Sequence, residues 1–168
     1  MRIVVNDANI LIDIVKLELT EAFFQLNFQF YTTDLVFNEV DEPQAAILRQ
    51  FVENGKLKVH SLTSEELTEL YELSGTIGNL SDNDLSAFIK AQKLKGLLIT
   101  SDNRLRKHAK ERDQEVHGHL WVLDALVDAL LLDGPAACEK LRLLCEVVNV
   151  KLALPEKECE KRYRQWNP

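Results

Sequence analysis

Met1-Arg2-Ile3-Val4-Val5-Asn6-Asp7 and Leu97-Leu98-Ile99-Thr100-Ser101-Asp102 are the two stretches whose reading decides the fold. Each is a short, nearly continuous apolar run that stops at an aspartate. Strands buried on both faces of a parallel sheet have this form, without the polar alternation of a sheet that keeps one wet face. Ligands of such sheets bind beyond the carboxyl ends of the strands, so Asp7 and Asp102 are candidates for chemistry in one acidic pocket.

Outward from the first run, residues 2–6 read as a strand, and residues 9–19 place Ile10, Ile14 and Leu17 at helical spacing. A second strand is expected near residues 29–32. Thr33-Asp34 can cap a helix through Leu35, Val36, Phe37 and Val40, which puts Glu39 inside a helix. Pro43 opens the next helix, Asn54-Gly55 closes it, and residues 57–60 form a small strand. Thr63 with Glu65 and Glu66 starts another helix. Ser81-Asp82-Asn83-Asp84 starts one whose apolar stripe is Leu85, Phe88, Ile89 and Leu94, ended by Gly96 ahead of the second quoted run. Ser101 or Asp102 then caps a basic helix. Apolar helices over 120–132 and 135–147 and a last helix from Pro155 complete the chain. This order predicts an α/β three-layer sandwich: a short central parallel sheet flanked by helices, plus a helical C-terminal extension. We expect one domain over residues 1–168, with a catalytic core in 1–118 and the extension in 119–168.

With 168 residues, 46% of them hydrophobic, the chain can bury one substantial core. No apolar stretch approaches the roughly 18 residues needed to cross a bilayer, and the N-terminus lacks the pattern of a secretory signal, so a cytoplasmic protein without membrane association is expected. Cys138, Cys145 and Cys159 form no CxxC pair and read as reduced packing residues. A net charge of -7 argues against a polyanionic partner only if the charge is evenly spread. It is not: residues 90–112 hold eight Lys and Arg against Asp102 and Glu111, a local +6 that leaves -13 elsewhere. Such a stretch is either an ordinary solvated helical face or a field that holds phosphates beside the acidic pocket.

Four carboxylates stand where they can serve that pocket: Asp7, Glu39, Asp84 and Asp102. Brought within about 4 Å, each pair repels by roughly 4 kcal/mol at an effective dielectric near 20, so the cluster requires either a cation or raised pKa values. A hard divalent ion such as Mg²⁺ or Mn²⁺ reverses the repulsion, acidifies bound water and polarises a phosphate, which is the equipment for phosphodiester hydrolysis. Each acid has a structural reading too. Asp7 and Asp102 can cap helices, Asp84 can close a capping box with Ser81, and Glu39 can sit on the surface. Capping does not explain why two separate strands each deliver an aspartate to the ligand-binding end of the sheet.

The segments Val4-Val5-Asn6-Asp7-Ala8-Asn9, Asp34-Leu35-Val36-Phe37-Asn38-Glu39-Val40, Leu80-Ser81-Asp82-Asn83-Asp84-Leu85-Ser86-Ala87 and Ile99-Thr100-Ser101-Asp102-Asn103 resemble, in order and spacing, the four acidic motifs of PIN-domain (PilT N-terminus) ribonucleases, in particular the VapC-type toxin group. The resemblance covers roughly residues 1–118. It implies a metal-dependent endoribonuclease in which Asp7, Glu39, Asp84 and Asp102 hold one or two Mg²⁺ or Mn²⁺ ions. Asn9 resembles the polar residue that supports the first aspartate, Thr100 and Ser101 resemble the hydroxyl residues before the last acid, and Asp82 could exchange roles with Asp84. Many such proteins are toxins that form homodimers and are inhibited by a small antitoxin protein inserted in the active-site groove. Lys93, Arg104 and Lys107, from the basic stretch, are the candidate RNA contacts. The tail from Leu120 is not accounted for by the motifs; it covers the sheet, builds a dimer or binds a partner.

Other chemistries fit less well. His117-Gly118-His119 lacks helical ligand spacing, and no HExxH, Gly-x-Ser-x-Gly, GxxxxGK[ST] or GxGxxG occurs. A phosphatase of the haloacid-dehalogenase type needs a second aspartate at position 9, where this chain has Asn9. The rival of another class is a noncatalytic PIN-like module that binds RNA or protein without cleaving.

Overall fold

The N-terminal run forms β1 (Arg2–Asn6), and the computed structural model describes all 168 residues. There follow α1 (Ala8–Lys16), α2 (Thr20–Gln25), β2 (Phe28–Thr33), α3 (Asp34–Phe37), α4 (Gln44–Glu53) and β3 (Leu57–His60). The second half holds α5 (Ser64–Thr76), α6 (Asp82–Lys93), β4 (Leu97–Ile99), α7 (Asn103–Lys110), β5 (Val116–His117), α8 (His119–Asp128), α9 (Gly134–Leu143) and α10 (Glu156–Trp166). One π-helical turn, Leu144–Val148, prolongs α9.

All strand pairs are parallel, in the order β3-β2-β1-β4-β5. From β1 the chain steps outward to β2 and β3, then crosses to the other side of β1 and steps outward again. β1 and β4 therefore flank the point where the strand order reverses, the position where open α/β sheets bind ligands. Right-handed crossovers put α1, α2 and α4 on one face and α5, α6 and α7 on the other. The packing agrees, since α6 lies on β1, β2 and β4 and touches α5 and α7, while α1 packs on α2 and α4. The middle of the sheet is dry: Val4, Val5, Leu98 and Ile99 are all fully buried.

Three departures from the sequence reading have physical causes. β5 is only two residues long, too short to show a period. The first helix stops at Lys16, short of the expected residue 19, and α2 follows where no element is expected; its Phe23 and Phe24 pack against Phe30, and Phe24 also stacks on Phe51, so tertiary contacts rather than helical spacing account for it. Glu39 is not within a helix. α3 makes a single turn, capped by the Thr33 hydroxyl on Val36 N, and then tightens, with Glu39 N bonded to Val36 O and Val40 N to Phe37 O. Val40 turns into the core and Pro43 soon follows, which leaves Glu39 exposed in the turn.

The C-terminal helices share the core of the α1 face. α8 packs on β5 and α2, α9 on α8, and the π-helical turn on α1. Their Leu126, Leu141 and Leu144 are fully buried in the same apolar cluster as Ile10 and Leu11. The polar tie is Asp13, a buried carboxylate whose Oδ2 bonds His119 Nε2 at 2.8 Å and accepts from Asn149 Nδ2 at 2.9 Å. Lys140 Nζ adds a bond to the carbonyl of Leu17 at 2.7 Å. No helix of the protein is long and apolar enough to cross a membrane.

α10 closes back on the start of α9 so tightly that a Cβ on Gly134 would lie 1.8 Å from the carbonyl oxygen of Trp166. Only glycine allows that approach. Gly134→Ala is expected to cost about 2 kcal/mol, the range for forced overpacking, and to lower the thermal midpoint by about 4–8 °C in a chain of this size. Hydrogen exchange should quicken selectively in residues 156–166; an unchanged melt and exchange pattern would refute the tight docking.

Candidate metal centre

Asp7 stands one residue past β1 but is still held to the neighbouring strand, its N–H donating to Ile99 O at 3.0 Å. The side chain is 3% exposed. One oxygen, Oδ1, caps α1 by accepting from Ala8 N at 2.8 Å; the other, Oδ2, accepts from Thr100 Oγ1 at 2.7 Å. The same buried hydroxyl accepts from Asp102 N at 3.1 Å. Thr100 thus joins the two strand ends, and the Asp7 carboxylate lies no more than two hydrogen bonds from the Asp102 backbone. The Asp102 carboxylate caps α7, with Oδ1 accepting from Arg104 N at 2.8 Å and Leu105 N at 2.9 Å.

The other two acids arrive with α6. Asp84 closes a capping box: its Oδ2 accepts from Ser81 N, and its own N–H donates to Ser81 Oγ, both at 3.1 Å. Asn83 Nδ2 donates to Glu39 Oε1 at 2.5 Å, which draws the turn after α3 onto the helix start. Behind them a row of short polar side chains fixes α6 to the strand ends. Ser86 Oγ meets Thr33 Oγ1 at 2.7 Å, Thr32 Oγ1 donates to Asn6 O at 2.8 Å, and Asn6 Nδ2 donates to Tyr31 O at 3.2 Å. These partners, and Asn83 above all, were missed in the sequence because hydroxyl and amide residues at strand ends and helix starts carry no pattern beyond turn formation.

Burial drives the Asp7 carboxyl up from its ordinary 3.8 to about 6, with the nearby Asp84 and Glu39 charges adding to the rise and the bonds from Thr100 and Ala8 opposing it. Three of the four acids therefore act on one another. In these side-chain positions no three acidic, histidine or cysteine side chains converge into a ligand group for an ion. Helix caps explain this, because Asp84 and Asp102 each spend one oxygen on backbone amides, and Glu39 spends one on Asn83. Asp84 Oδ1, Asp102 Oδ2 and Glu39 Oε2 make no bond in the protein, and Asn6 Oδ1 is a buried acceptor with no partner. A set of hard oxygens with capacity left over fits Mg²⁺ or Mn²⁺ by donor chemistry, once those side chains swing off their caps.

The remaining expected residues fall into two groups. Asp82 and Asn9 are exposed in the first turns of α6 and α1, and Ser101 is half-buried beside Asp102. Arg104 and Lys107 are exposed on α7, Arg104 reaching the carbonyl of Asn79 at 3.5 Å. Lys93 lies farther off. It sits in the last turn of α6, about 13 Å along the helix from Asp84, and pairs with Glu69 of α5 at 3.1 Å. Lys90, unlike the half-exposed Lys93, is buried against Glu66 at 2.7 Å. The basic stretch is divided: Lys90 and Lys93 of α6 pair with α5, while the cations of α7 make no ion pair.

Asp7 makes metal-free stability depend on pH with a definite sign. Unfolded, it ionises near 3.8; folded, it keeps its proton up to about 6. The native state therefore binds the extra proton between those values, so stability falls as pH rises from about 4 to about 6, by on the order of 3 kcal/mol. Asp7→Asn should show little of this loss. In metal-free melts its thermal midpoint, compared with wild type, should climb between pH 4.5 and pH 7; a constant offset would refute the buried charge.

No protein with a curated description matches the sequence. The structure of VapBC-1 from nontypeable Haemophilus influenzae superposes with a TM-score of 0.51 at 18% identity, covering 69% of this chain and 97% of that one. A PilT N-terminus domain protein from the hyperthermophilic archaeon Sulfolobus solfataricus P2 gives a TM-score of 0.46 at 18% identity, over 76% of this chain and 93% of that one. The family model described as DUF3368, PIN domain, matches residues 3–167, the C-terminal helices included. The chain belongs to the PIN-domain family.

Proposed function

We propose that this PIN-domain protein is a Mg²⁺- or Mn²⁺-dependent endoribonuclease, with Asp7, Glu39, Asp84 and Asp102 as the metal-binding and catalytic carboxylates and Asp82 as a second-rank alternative to Asp84. What carries the reading is the Asp7–Thr100–Asp102 link across the switch point of the sheet, with Asp84 and Glu39 close enough to load the Asp7 charge. The bound ion would supply a Lewis acid and an acidified water for attack on phosphorus.

The chain's own residues then divide the remaining work. Thr100 holds Asp7 Oδ2 in a fixed direction and keeps the two strand ends in register, and Asn83 holds Glu39 against α6. Asn9 and Ser101 flank the first and last acids and support them. Arg104 and Lys107, with Lys93 farther along α6, hold backbone phosphates of the RNA. Water attack with departure of the 3′ oxygen leaves 5′-phosphate and 3′-hydroxyl ends. Residues 1–118 form the catalytic core and 119–168 the extension that buttresses it. The likeness to VapC-type toxins supports a cytoplasmic toxin that forms homodimers and is restrained by a small antitoxin-type protein.

The test is cleavage of single-stranded RNA with and without Mn²⁺. Asn caps helices as well as Asp does, so Asp102→Asn and Asp7→Asn should both fold. Each should lose at least about 100-fold in rate, the scale of losing a metal ligand or its support. Variants as active as wild type would end the nuclease reading. RNA retention with no cleavage at any Mn²⁺ concentration would favour the noncatalytic binding module.

A further inference from the structure

Beyond Asp102 the molecule has a second concavity, a cleft of about 600 Å³ between α7 and the irregular segment 151–155 that leads into α10. Arg106, Lys107 and Lys110 line it from α7, and Lys151 faces them from the C-terminal extension. None of the four has an ion-pair partner in the protein, although acidic residues outnumber basic ones by 27 to 20 in the chain. The one acid on the wall is Glu111. Four convergent cations left unpaired in an acidic protein form a local anion trap, since like charges held together are unfavourable without a counterion.

The cleft walls are fixed. Asn149, two residues before Lys151, and His119, on the cleft wall, both bond to the buried Asp13. Arg106 lies over Gly118, where a Cβ would come within 2.8 Å of its guanidinium. The cleft opens toward the metal centre, because Ser101 and Asn103, on either side of Asp102, also line it.

We propose that this cleft binds backbone phosphates of the RNA strand being cut, so that the C-terminal extension supplies part of the substrate site through Lys151. The proposal rests on the nuclease reading and adds Arg106, Lys110 and Lys151 to the phosphate-binding residues named there. An RNA strand is favoured over a protein segment because the cleft offers no Phe, Tyr or Trp side chain to act as the buried anchor that protein interfaces depend on.

The experiment is equilibrium binding of a fluorescein-labelled single-stranded RNA in EDTA, by anisotropy across a salt series, with the full chain. Lys110 and Lys151 are exposed, so Lys110→Gln/Lys151→Gln should fold with an unchanged thermal midpoint. Its slope of log affinity against log salt should shrink by about 1.4, near 0.7 for each phosphate of a single strand that is no longer neutralised, with affinity down about tenfold at low salt. Lys16→Gln/Lys56→Gln, an equal change of charge at the opposite end of the sheet, should keep the wild-type slope. The proposal is overturned if the two double variants behave alike, or if the cleft variant loses an acidic peptide while holding RNA. Asp7→Asn separates the two readings: it should bind with the wild-type slope yet fail to cleave, whereas an active Asp7→Asn would remove the nuclease reading and leave the slope to judge the cleft.

Discussion

The Asp7 carboxylate is buried at the carboxyl end of the central strand of a parallel sheet, and the strand ends and helix starts around it are arranged about its charge. Burial of an ionised carboxylate without full compensation is costly. Two hydrogen bonds, from Thr100 and Ala8, offset part of that cost, while the neighbouring Asp84 and Glu39 increase it. What remains is met by a proton at mild acidity and, in the proposed function, by a cation near neutrality. A site that is uncomfortable when empty and relieved by an ion is the electrostatic form of a metal centre.

The same residues have two uses. Asp7, Asp84 and Asp102 each cap a helix, and those caps are real in the structure. A carboxylate has more lone pairs than one backbone bond consumes, but the direction a cap imposes keeps Asp84 and Asp102 from converging on Asp7, so in the proposed function capping and ligation alternate at those two acids. The caps hold α1, α6 and α7 with their N-termini toward one end of the sheet, and Thr100 keeps the first and last acids in register. Stability and proposed chemistry draw on one set of oxygens, so a substitution at Asp7 is expected to trade metal-dependent activity against metal-free stability.

How far the sequence reveals this can be argued residue by residue. β1 and β4 were legible because strands buried on both faces read as unbroken apolar runs, and the aspartates that end them follow from the geometry of parallel sheets. Asp84 was legible with its box partner Ser81. The place of Glu39 in a turn was not, because the apolar spacing of Leu35, Val36 and Val40 suits a helix and only the entry of Val40 into the core ends it. Asn83 carries no signal in one sequence, since Asn at a helix start is commonplace. The pairing of Lys93 with Glu69 was not legible, because a charge count along the chain cannot see that α6 turns its basic end toward α5. Asp13, between Ile12 and Ile14, looks like the polar face of a helix until the C-terminal helices cover it and supply His119 and Asn149.

The central claim is that oxygens from four distant parts of the chain grip one hard cation at the end of the sheet. Crystals soaked in Mn²⁺ test it most directly, because anomalous scattering locates the ion independently of any assay. The account predicts a peak about 2.1 Å from an Asp7 oxygen, with Asp84 or Asp102 rotated off its cap toward it. Mn²⁺ bound elsewhere, or no peak beside Asp7 at millimolar concentration, would contradict it.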